Sequence, residues 1–585
     1  MGKKDSTTAR QSRVSRRNFL KAMGGGAAAA ALGTGATISV AQVSADTTWD
    51  EETDVVVVGT GGAAGAAAAS AHHHGASVLV LEKSAAYGGT TAKSGGASWV
   101  PNHSMLAEHG VSDPKKDAIR YMVRVAHPAH YRADHPTLGL SQSLYDMFDA
   151  FYDNGGRAFD ELADIGAHLW SIRQSWDGQL TPDYYAHLAE NKAPRGRTVG
   201  PVTDEGTPAA GAEMTGQFRA YQERHDIPVR MGHRVTKLLL NSNREVVGVE
   251  VTTRDDETMH IRARKAVIFG SGGFTHDPEM AKNYLRGKVY GGCAVPTNTG
   301  DLVTMAIDVG AKLGNMNEAW FQQETLEEVL EFSSVPSGVW FLTGDSMITV
   351  NRYGERMYNE KFVYNERTRY HWEWDGNKGE YPNLFMFFLY DQRTAELYPG
   401  AGGPIPPADA QSPWVIEGQS WEELAANIDE RLAALESQIG HFRLADSFTE
   451  NLAGTIERYN GFAESGEDLD FRRGEFPIDA HFHGPRRDGN DHPNPYMMPL
   501  SDSGPYYCII LAPGTLDTKG GPVTNTRAQV VDTRDNPIAG LYAAGNCVGS
   551  FSGQSYWGAG GTLGPALTFG YIAGENAAQE PVKEV

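Results

Sequence analysis

Cysteine is scarce in this 585-residue chain, which contains only Cys293, Cys508 and Cys547. An odd number of cysteines without metal-ligand spacing excludes a disulfide framework and a zinc site. The sequence also has no Cys-x-x-Cys-His for haem attachment and no cysteine spacing typical of an iron–sulfur protein. We therefore predict three small buried residues, no metal site and no second redox centre.

Positively charged residues are in deficit: the chain has 51 lysines and arginines and 73 aspartates and glutamates, which gives a formal net charge of −22. This charge argues against nucleic acid or an anionic membrane as a partner. Beyond the first 45 residues no apolar run is long enough to predict a permanent membrane span. A hydrophobic content of 40% still indicates a globular protein, and the length indicates two domains rather than one.

The first 45 residues predict an export signal rather than part of the fold. Ser15-Arg16-Arg17-Asn18-Phe19-Leu20-Lys21 carries the paired arginines of the twin-arginine route, and a weakly apolar stretch follows to about Val40. Val43-Ser44-Ala45 is the predicted cleavage site. This route carries folded proteins, which suits an enzyme that loads its cofactor before export. We expect a location in the cell envelope, in the periplasm or outside the cell.

A glycine-rich turn between two apolar strands follows the predicted signal. Asp54 to Val58 predicts a buried strand, an alanine-rich helix extends to about His74, and Ser77 to Leu81 predicts a second strand that ends on Glu82. This is the strand–turn–helix–strand setting of a dinucleotide fingerprint, with an acid placed for a ribose hydroxyl. The predicted nucleotide contacts are Gly59, Gly61, Gly62, Ala63, Ala64, Glu82 and Lys83.

A second glycine run favours a flavin over a nicotinamide. Gly88-Gly89-Thr90-Thr91-Ala92-Lys93-Ser94-Gly95-Gly96 follows the second strand, and its small residues let backbone amides approach a pyrophosphate and a flavin ring closely. No histidine for covalent attachment occurs between Tyr87 and Gly96, so we expect non-covalent FAD. The predicted contacts here are Gly88, Gly89, Thr90, Thr91, Ser94, Gly95 and Gly96.

Near the C-terminus a phenol precedes a run of bare backbone amides and a predicted helix start at Thr562 to Ala566. Helix N-termini carry unpaired N–H groups and partial positive charge, which suits a flavin with developing negative charge. Tyr556 and the Gly560 amide could together polarise a substrate carbonyl, although a glycine-rich loop that only turns the chain is the alternative. Further predicted cofactor contacts are Val235, Gly272, Gly545, Asn546, Gly561, Thr562 and Leu563.

The order of these features predicts an α/β fold, an FAD-binding Rossmann-like domain with an inserted α+β catalytic (cap) domain. After the first strand–helix–strand unit we expect two separate helices at 142–155 and 158–165, a β-meander at 229–264 and a further strand at 265–269. The predicted boundaries are 1–45 for the signal peptide, 46–317 and 516–585 for the two parts of the FAD-binding domain, and 318–515 for the catalytic domain.

From Asp54 to Gly574 the sequence resembles the FAD-dependent 3-ketosteroid Δ1-dehydrogenases, within the fumarate reductase and succinate dehydrogenase flavoprotein group. The motifs typical of the wider flavoprotein group are the fingerprint, the second glycine run, Val350 to Glu360 and Thr518 to Pro522. The narrower marks are the positions of the family's site residues, which match Tyr184, Tyr364, Tyr556 and Gly560.

The resemblance implies a role for each of these four residues. Tyr556 and the Gly560 N–H would hold the substrate carbonyl, Tyr364 would take a proton from C2, and Tyr184 would assist it. Hydride would then pass from C1 to flavin N5. Trp557 stands where the family usually has proline, and we expect it to alter the pocket beside Tyr556.

Two rival functions stay open. The first is an exported flavin-dependent reductase of enones or other organic acceptors, fed by a cytochrome or quinol, because sequence does not fix the direction of the reaction. The second is a flavin-carrying relay protein, which would lack a second redox centre here. Phe341 to Asp345 offers no arginine of the kind that clamps a dicarboxylate in fumarate-type reductases. A steroid-like ketone and an external quinone or cytochrome are the expected partners.

Overall fold

The structure is a computed structural model that describes residues 39–44, 47–400, 403–408, 410 and 412–585. Most of the predicted export signal lies outside these residues. The strands are β1 Ser39–Gln42, β2 Glu51–Val58, β3 Val78–Glu82, β4 Ser98–Trp99, β5 Trp170–Ile172, β6 Thr198–Pro201, β7 Val229–Met231, β8 His233–Leu240, β9 Val246–Thr253, β10 Thr258–Phe269, β11 Leu313–Gly314, β12 Ala319–Thr325, β13 Met347–Val350, β14 Met386–Asp391, β15 Ile416–Gly418, β16 Tyr506–Thr518, β17 Gly521–Pro522, β18 Gln529–Val531 and β19 Pro537–Ala543.

Helices connect and cover these strands, and two short 3₁₀ turns occur at Tyr370–Trp372 and Gly545–Cys547. The α-helices are α1 Gly62–His73, α2 Gly89–Lys93, α3 Met105–Glu108, α4 Lys115–Ala126, α5 Gln142–Asp164, α6 Gly211–Arg224, α7 Pro278–Tyr284, α8 Asp301–Asp308, α9 Leu326–Glu331, α10 Tyr364–Arg369, α11 Gln392–Leu397, α12 Trp421–Ile439, α13 Phe448–Ser465, α14 Pro477–His483 and α15 Leu563–Gln579.

The largest sheet has nine strands in the order β1-β8-β9-β10-β2-β3-β7, with β19 beside β10 and β18 beside β19. The strands β19, β10, β2, β3 and β7 are parallel to their neighbours in that set. The valines of β2 are fully or almost fully buried, because helices cover both faces of a parallel sheet. The predicted α/β class with a Rossmann-like sheet is confirmed.

Helices α1 and α15 pack closely because their contact is made of small residues. A Cβ on Gly570 would lie 2.3 Å from the carbonyl oxygen of Ala63, and a Cβ on Gly574 would lie 2.4 Å from that of Ala67. Only glycine allows this approach. It places the N-termini of both helices side by side at one edge of the sheet, since Gly62 contacts Leu563 and Leu567.

A second, antiparallel sheet has five strands in the order β12-β16-β14-β13, with β15 also paired to β16. Its strands come from residues 319 to 518, the region in which the composition changes. Helices α12 and α13 cover one face through a separate apolar core that includes Leu424, Leu432 and Leu452. The predicted boundary at 317/318 lies just before β12 and the one at 515/516 falls within β16, and the domain boundaries stay a prediction.

Three local predictions differ from the structure. Residues 142–164 form one helix, and Gly155 and Gly156 lie inside it, where they let the loop at 100–103 approach: a Cβ on Gly156 would lie 2.5 Å from the Asn102 oxygen. The third meander strand and the strand after it are the single strand β10, with a register shift between Ala263 and Ala266. The third difference is β1, which lies inside the predicted signal 1–45 yet pairs in parallel with β8.

In the part of the chain that the structure describes, no helix is both long enough and apolar enough to cross a bilayer.

Candidate active site

A cleft of about 840 Å³ lies at the carboxyl ends of the parallel strands. The last residues of β2, β3 and β10, namely Val58, Glu82 and Phe269, all line it, as does Gly545 beyond β19. Ligands of open α/β sheets bind at this edge. The cleft is therefore where the fold places a cofactor.

Backbone amides dominate one side of this cleft. Helices α1 and α15 begin there after Gly61 and Thr562, and neither has a side-chain N-cap. Gly59 has φ +107°, and a Cβ on it would lie 2.6 Å from the Gly270 oxygen, so only glycine fits. Uncapped helix N-termini among small residues bind phosphate and stabilise negative charge that develops on a bound ring. The residues present fit FAD.

Two charged side chains predicted to contact the cofactor are also held by protein groups. Glu82 accepts hydrogen bonds from the Thr60 hydroxyl and the Ser84 amide, both at 2.8 Å. The Lys83 ammonium donates to Asp301 at 2.9 Å, and Arg234 also binds Asp301 through two nitrogens. Both predicted residues line the cleft, and their partners fix them in it.

Most other predicted cofactor residues line this cleft or the pocket beside it. They are Gly59, Gly61, Gly62, Ala63, Gly89, Thr90, Thr91, Ser94, Gly95, Gly96, Val235, Gly272, Gly545, Asn546, Thr562 and Leu563. Three predicted residues line neither. Ala64 packs under Gly270, the Gly88 amide donates to Thr60 at 2.9 Å, and the Gly561 amide donates to Gly558 at 3.0 Å.

Asp517 is a buried carboxylate in the cleft that was not predicted from the sequence. Asp517 accepts hydrogen bonds from Asn298 at 2.7 Å, Asn546 at 3.1 Å and the Gly273 amide at 2.9 Å. It joins three loops that meet only in the tertiary structure. Its place directly before the Thr518 motif was the available signal.

A second pocket of about 990 Å³ adjoins the cofactor cleft, and both share Thr90, Thr91, Asn546, Thr562 and Leu563. All four predicted catalytic residues line it. The remaining wall is largely apolar. Its lining residues that the sequence analysis did not predict include Lys93, Ala97, Cys293, Trp340, Phe341, His481, Phe482, Leu516 and Ala559.

The three tyrosines form one cluster in this pocket. The Tyr184 and Tyr364 hydroxyl oxygens are 2.9 Å apart and hydrogen-bonded. The ring of Tyr556 lies 5.3 Å from that of Tyr184 and 5.5 Å from that of Tyr364, between ring centroids. All three side chains are buried. Tyrosines from three distant segments therefore converge on one space.

Burial raises the pKa of all three phenols, and for Tyr184 and Tyr364 it raises the pKa well above 10. The ligand-free pocket therefore holds neutral hydroxyls at neutral pH. A base formed from this cluster must first lose a proton. The 2.9 Å hydrogen bond stabilises the resulting phenolate, because the remaining hydroxyl donates to it.

Gly560 presents a free amide beside Tyr556. It has φ +91°, and its carbonyl accepts hydrogen bonds from Trp99 and Gly564, both at 2.9 Å. Its N–H has no protein acceptor among the described residues, and the residue lines the pocket. The Tyr556 hydroxyl accepts a long hydrogen bond from Thr562 at 3.3 Å and also interacts with the Tyr364 hydroxyl. Two donors are thus available to one carbonyl oxygen.

A buried ion network positions the loop that carries Tyr184. The Arg197 guanidinium binds Asp183 and Asp113, the latter at 2.6 Å, and the Trp99 indole donates to Asp183 at 2.8 Å. The Tyr184 amide donates to the Trp557 carbonyl at 2.9 Å. These bonds tie Tyr184 to the segment that carries Tyr556.

The other two tyrosines are held by separate supports. Tyr364 is the first residue of α10 and follows Glu360, whose carboxylate accepts two bonds from Arg356, both at 2.8 Å. The Trp320 ring lies 5.0 Å from the Tyr556 ring, and its other neighbour is the Lys519 ammonium, 4.0 Å from the indole. Lys519 also donates to the carbonyl of Ser555 at 2.8 Å.

Two side chains near the pocket, Trp557 and Cys293, differ in whether they line it. The Trp557 side chain does not line the pocket. It is fully buried in the apolar core, 5.3 Å from Trp99 between ring centroids, and donates to the Met122 carbonyl at 3.0 Å. All three cysteines are free and buried as predicted, but Cys293 also lines the pocket.

Comparison with known proteins agrees with this geometry. A family profile described as FAD binding domain matches residues 54–563. The 3-oxosteroid 1-dehydrogenase of Mycolicibacterium smegmatis is 31% identical over 83% of this chain and 90% of that protein. The chain belongs to this flavoprotein family. It is an FAD-dependent oxidoreductase of the ketosteroid dehydrogenase type, which acts on CH–CH donors.

Two further relatives define the range of the family. The 4-oxocyclohexanecarboxylate 2-dehydrogenase of Sinomonas cyclohexanicum is 32% identical over 84% of this chain and 86% of that protein. The crystal structure of a 3-ketosteroid Δ1-dehydrogenase from Sterolibacterium denitrificans, in complex with 1,4-androstadiene-3,17-dione, has a TM-score of 0.75 at 26% identity. It covers 90% of this chain and 99% of that chain.

A twin-arginine signal profile matches residues 13–33, which lie outside the described residues. The flavoprotein therefore carries a signal for twin-arginine export.

Proposed function

We propose that this flavoprotein introduces a double bond between C1 and C2 of a 3-ketosteroid or a similar cyclic ketone, in the cell envelope or outside the cell. The observation that carries the proposal is the convergence of Tyr184, Tyr364 and Tyr556 with the free Gly560 amide in one pocket beside the cofactor cleft. The named activities of the relatives at 31% identity and of the solved structure support it.

Tyr556 and Gly560 polarise the ketone. The phenol O–H and the backbone N–H donate to the carbonyl oxygen, and each such donor typically contributes about 3 kcal/mol to the transition state. Negative charge that develops on this oxygen makes the neighbouring C2 proton more acidic. Both donors are fixed before substrate arrives, because Gly560 is held by Trp99 and Tyr556 by its aromatic neighbours.

The hydrogen-bonded pair of Tyr364 and Tyr184 takes the C2 proton. After the pair has lost one proton, the Tyr364 oxygen accepts hydrogen from carbon while Tyr184 donates to it. FAD supplies the acceptor for the hydride that leaves C1. The largely apolar wall keeps water away from the reacting carbons.

The export signal favours a second candidate, the same site working as a reductase of enones fed by a quinol or a cytochrome. In that direction Tyr364 would return the proton to C2. Among the described residues that line the pocket none is an arginine, so a dicarboxylate clamp of the fumarate type is not the favoured variant. In either direction an external quinone or cytochrome is the proposed electron partner.

Anaerobic stopped-flow measurements test the function and its direction. Holoenzyme is mixed with a 3-ketosteroid that is saturated at C1 and C2, and loss of oxidised flavin absorbance is followed. Dithionite-reduced enzyme is mixed with the matching Δ1 compound in a second experiment. Fast flavin reduction in the first supports the dehydrogenase, and fast reoxidation only in the second supports the reductase. Absence of both reactions would contradict the proposal.

A further inference from the structure

A lysine in the wall of the substrate pocket has no carboxylate partner. Lys93, the last residue of α2, donates to the Ser334 hydroxyl and to the Val335 carbonyl, both at 3.0 Å. Among the described residues no aspartate or glutamate forms an ion pair with it. An ammonium group has three N–H donors, so one is left for a ligand.

The described residues around Lys93 supply no direct ion-pair partner. The described residues that line the pocket include no acid, and burial lowers the pKa of the only other base there, His481, to about 4. The acid behind the wall is Glu324, which accepts from Gln322 at 2.6 Å, and Gln322 in turn donates to Cys293 at 2.9 Å. Burial raises the pKa of Glu324 well above its usual range, and the charge of Lys93 acts in the opposite direction, so the two groups interact through space without a direct ion pair.

An ammonium that is largely removed from water and has no counter-charge is unfavourable, and an anion brought by a ligand relieves this. Burial also lowers the pKa of Lys93, in agreement with this imbalance. The pocket is therefore largely apolar with one positive group, a pattern that suits a ligand with an apolar body and an acidic end.

Lys93 and the carbonyl donors line the same pocket, joined by one wall segment. Residues 94 to 97 all line the pocket, and they connect Lys93 to the backbone on which Gly560 rests. A Cβ on Gly560 would lie 2.4 Å from the carbonyl carbon of Ala97, and the Trp99 amide donates to Gly560 at 2.9 Å. Five residues of extended chain span at most about 17 Å. One ligand of several rings or with a side chain can reach both ends.

We propose that Lys93 binds a carboxylate on the substrate, at the end of the molecule away from the ketone that Tyr556 and Gly560 hold. The preferred substrate is then a cyclic keto acid. This inference rests on the proposed function, because it assumes the ketone at Tyr556. A charge-assisted hydrogen bond from Lys93 is stronger than one to a neutral ketone, which is the reason for choosing an acid.

Matched acids and methyl esters test the proposal on the holoenzyme. One pair is a 3-ketosteroid with a carboxylic side chain and its ester, and the other is a single-ring cyclohexanone carboxylic acid and its ester. The variants are Lys93→Met, Lys93→Arg and, as a control, Lys192→Met at an exposed position. The two pairs distinguish a steroid acid from a small keto acid as the source of the carboxylate.

Wild type should prefer the acid of at least one pair, and Lys93→Met should lower kcat/KM for that acid about 10- to 100-fold, mainly through KM. The ester should change much less, Lys93→Arg should recover part of the loss, and Lys192→Met should match wild type. Binding is read independently as a change in flavin absorbance when the acid is titrated into oxidised Tyr364→Phe holoenzyme, with and without Lys93→Met.

Equal losses for acid and ester would overturn the proposal. So would a Lys93→Met enzyme that retains FAD less well or has a shifted flavin potential while its discrimination between acid and ester is unchanged, because Lys93 would then serve the cofactor. If no ketone is turned over, the proposed function fails, whereas the binding titration still decides the role of Lys93.

Discussion

The cofactor cleft and the substrate pocket share a border but are built differently. The cleft is made mainly of backbone, from turns such as Gly59 to Gly62 in which glycine is required by close approach. The pocket is made of side chains from distant segments, and Tyr184 and Tyr364, which share a hydrogen bond, are 180 positions apart. Neighbouring residues thus shape the first site, whereas only the folded chain assembles the second.

This difference predicts how each site responds to substitution. A site built from backbone tolerates loss of a single side chain, because many backbone amides contribute to binding the cofactor. A side-chain site loses most of its chemistry with one hydroxyl, because each tyrosine has a separate role. The following predictions test that contrast.

Tyr364→Phe should have the largest effect. It removes the proton acceptor and little volume, so kcat should fall about 10³- to 10⁴-fold while FAD content and steroid binding stay near wild type. Steady-state kinetics and flavin absorbance titrations measure both. Tyr358→Phe, which alters another buried tyrosine outside the pocket, is the matched control. Residual activity above a few per cent would show that another residue acts as the base.

Tyr556→Phe should lower kcat/KM on 3-ketosteroids about 10²- to 10³-fold, as loss of one oxyanion-hole donor does. Ligand affinity should fall less, because the oxygen carries more charge in the transition state than in the ground state. The Gly560 amide remains and leaves residual activity. Tyr542→Phe, on β19 away from the pocket, is the control. If Tyr556→Phe had the same kinetics as wild type, Tyr556 would not be the residue that holds the substrate carbonyl.

Tyr184→Phe should be milder and should change the pH dependence. The base must be deprotonated, so kcat/KM should rise with pH in wild type. In the proposed mechanism Tyr184 donates to the Tyr364 phenolate and stabilises it, so its loss should shift the rising limb to higher pH. Profiles of kcat/KM against pH measure this, with Tyr185→Phe as the neighbouring control. An unshifted limb would show that Tyr184 only fills space.

Glu82→Ala should weaken FAD binding about 10-fold, from loss of charged hydrogen bonds. Because Glu82 also holds Thr60, Thr60→Val shows how much of the effect passes through the turn. The dissociation constant of FAD, measured by fluorescence with the reconstituted apoprotein, is the readout. Flavin content equal to wild type would show that Glu82 does not contact the ribose.

The smallest effect should come from β1. A chain that begins after Ala45 lacks this edge strand, whereas a chain that begins at Ser39 retains its four pairs with β8. Loss of so short a strand should lower the melting temperature by about 2–4 °C. Calorimetry of both chains measures this, and mass spectrometry of the exported protein locates its N-terminus. Equal melting temperatures of the two chains would show that removal of β1 by cleavage after Ala45 does not destabilise the fold.

Local sequence predicted the fingerprint turn, both flanking strands, the helix that begins after Thr562 and the FAD cofactor. Each depends on spacing within about 30 residues, where backbone geometry restricts residue type. The prediction failed where tertiary contacts decide: residues 142–165 were divided into two helices, whereas Gly155 and Gly156 lie within α5 and let a loop approach it. The sequence also did not record that the Trp557 side chain is buried in the core.

The sequence by itself determined the cofactor class, the family and the four positions expected to do the chemistry, because each is recorded in a motif. Only the tertiary structure decided which hydroxyls touch, that the Gly560 amide has no acceptor among the described residues, and that Lys93 lies in the same pocket without a direct ion pair there. The physical reason is that hydrogen bonding and desolvation depend on distances between segments, and spacing along the chain does not record those distances.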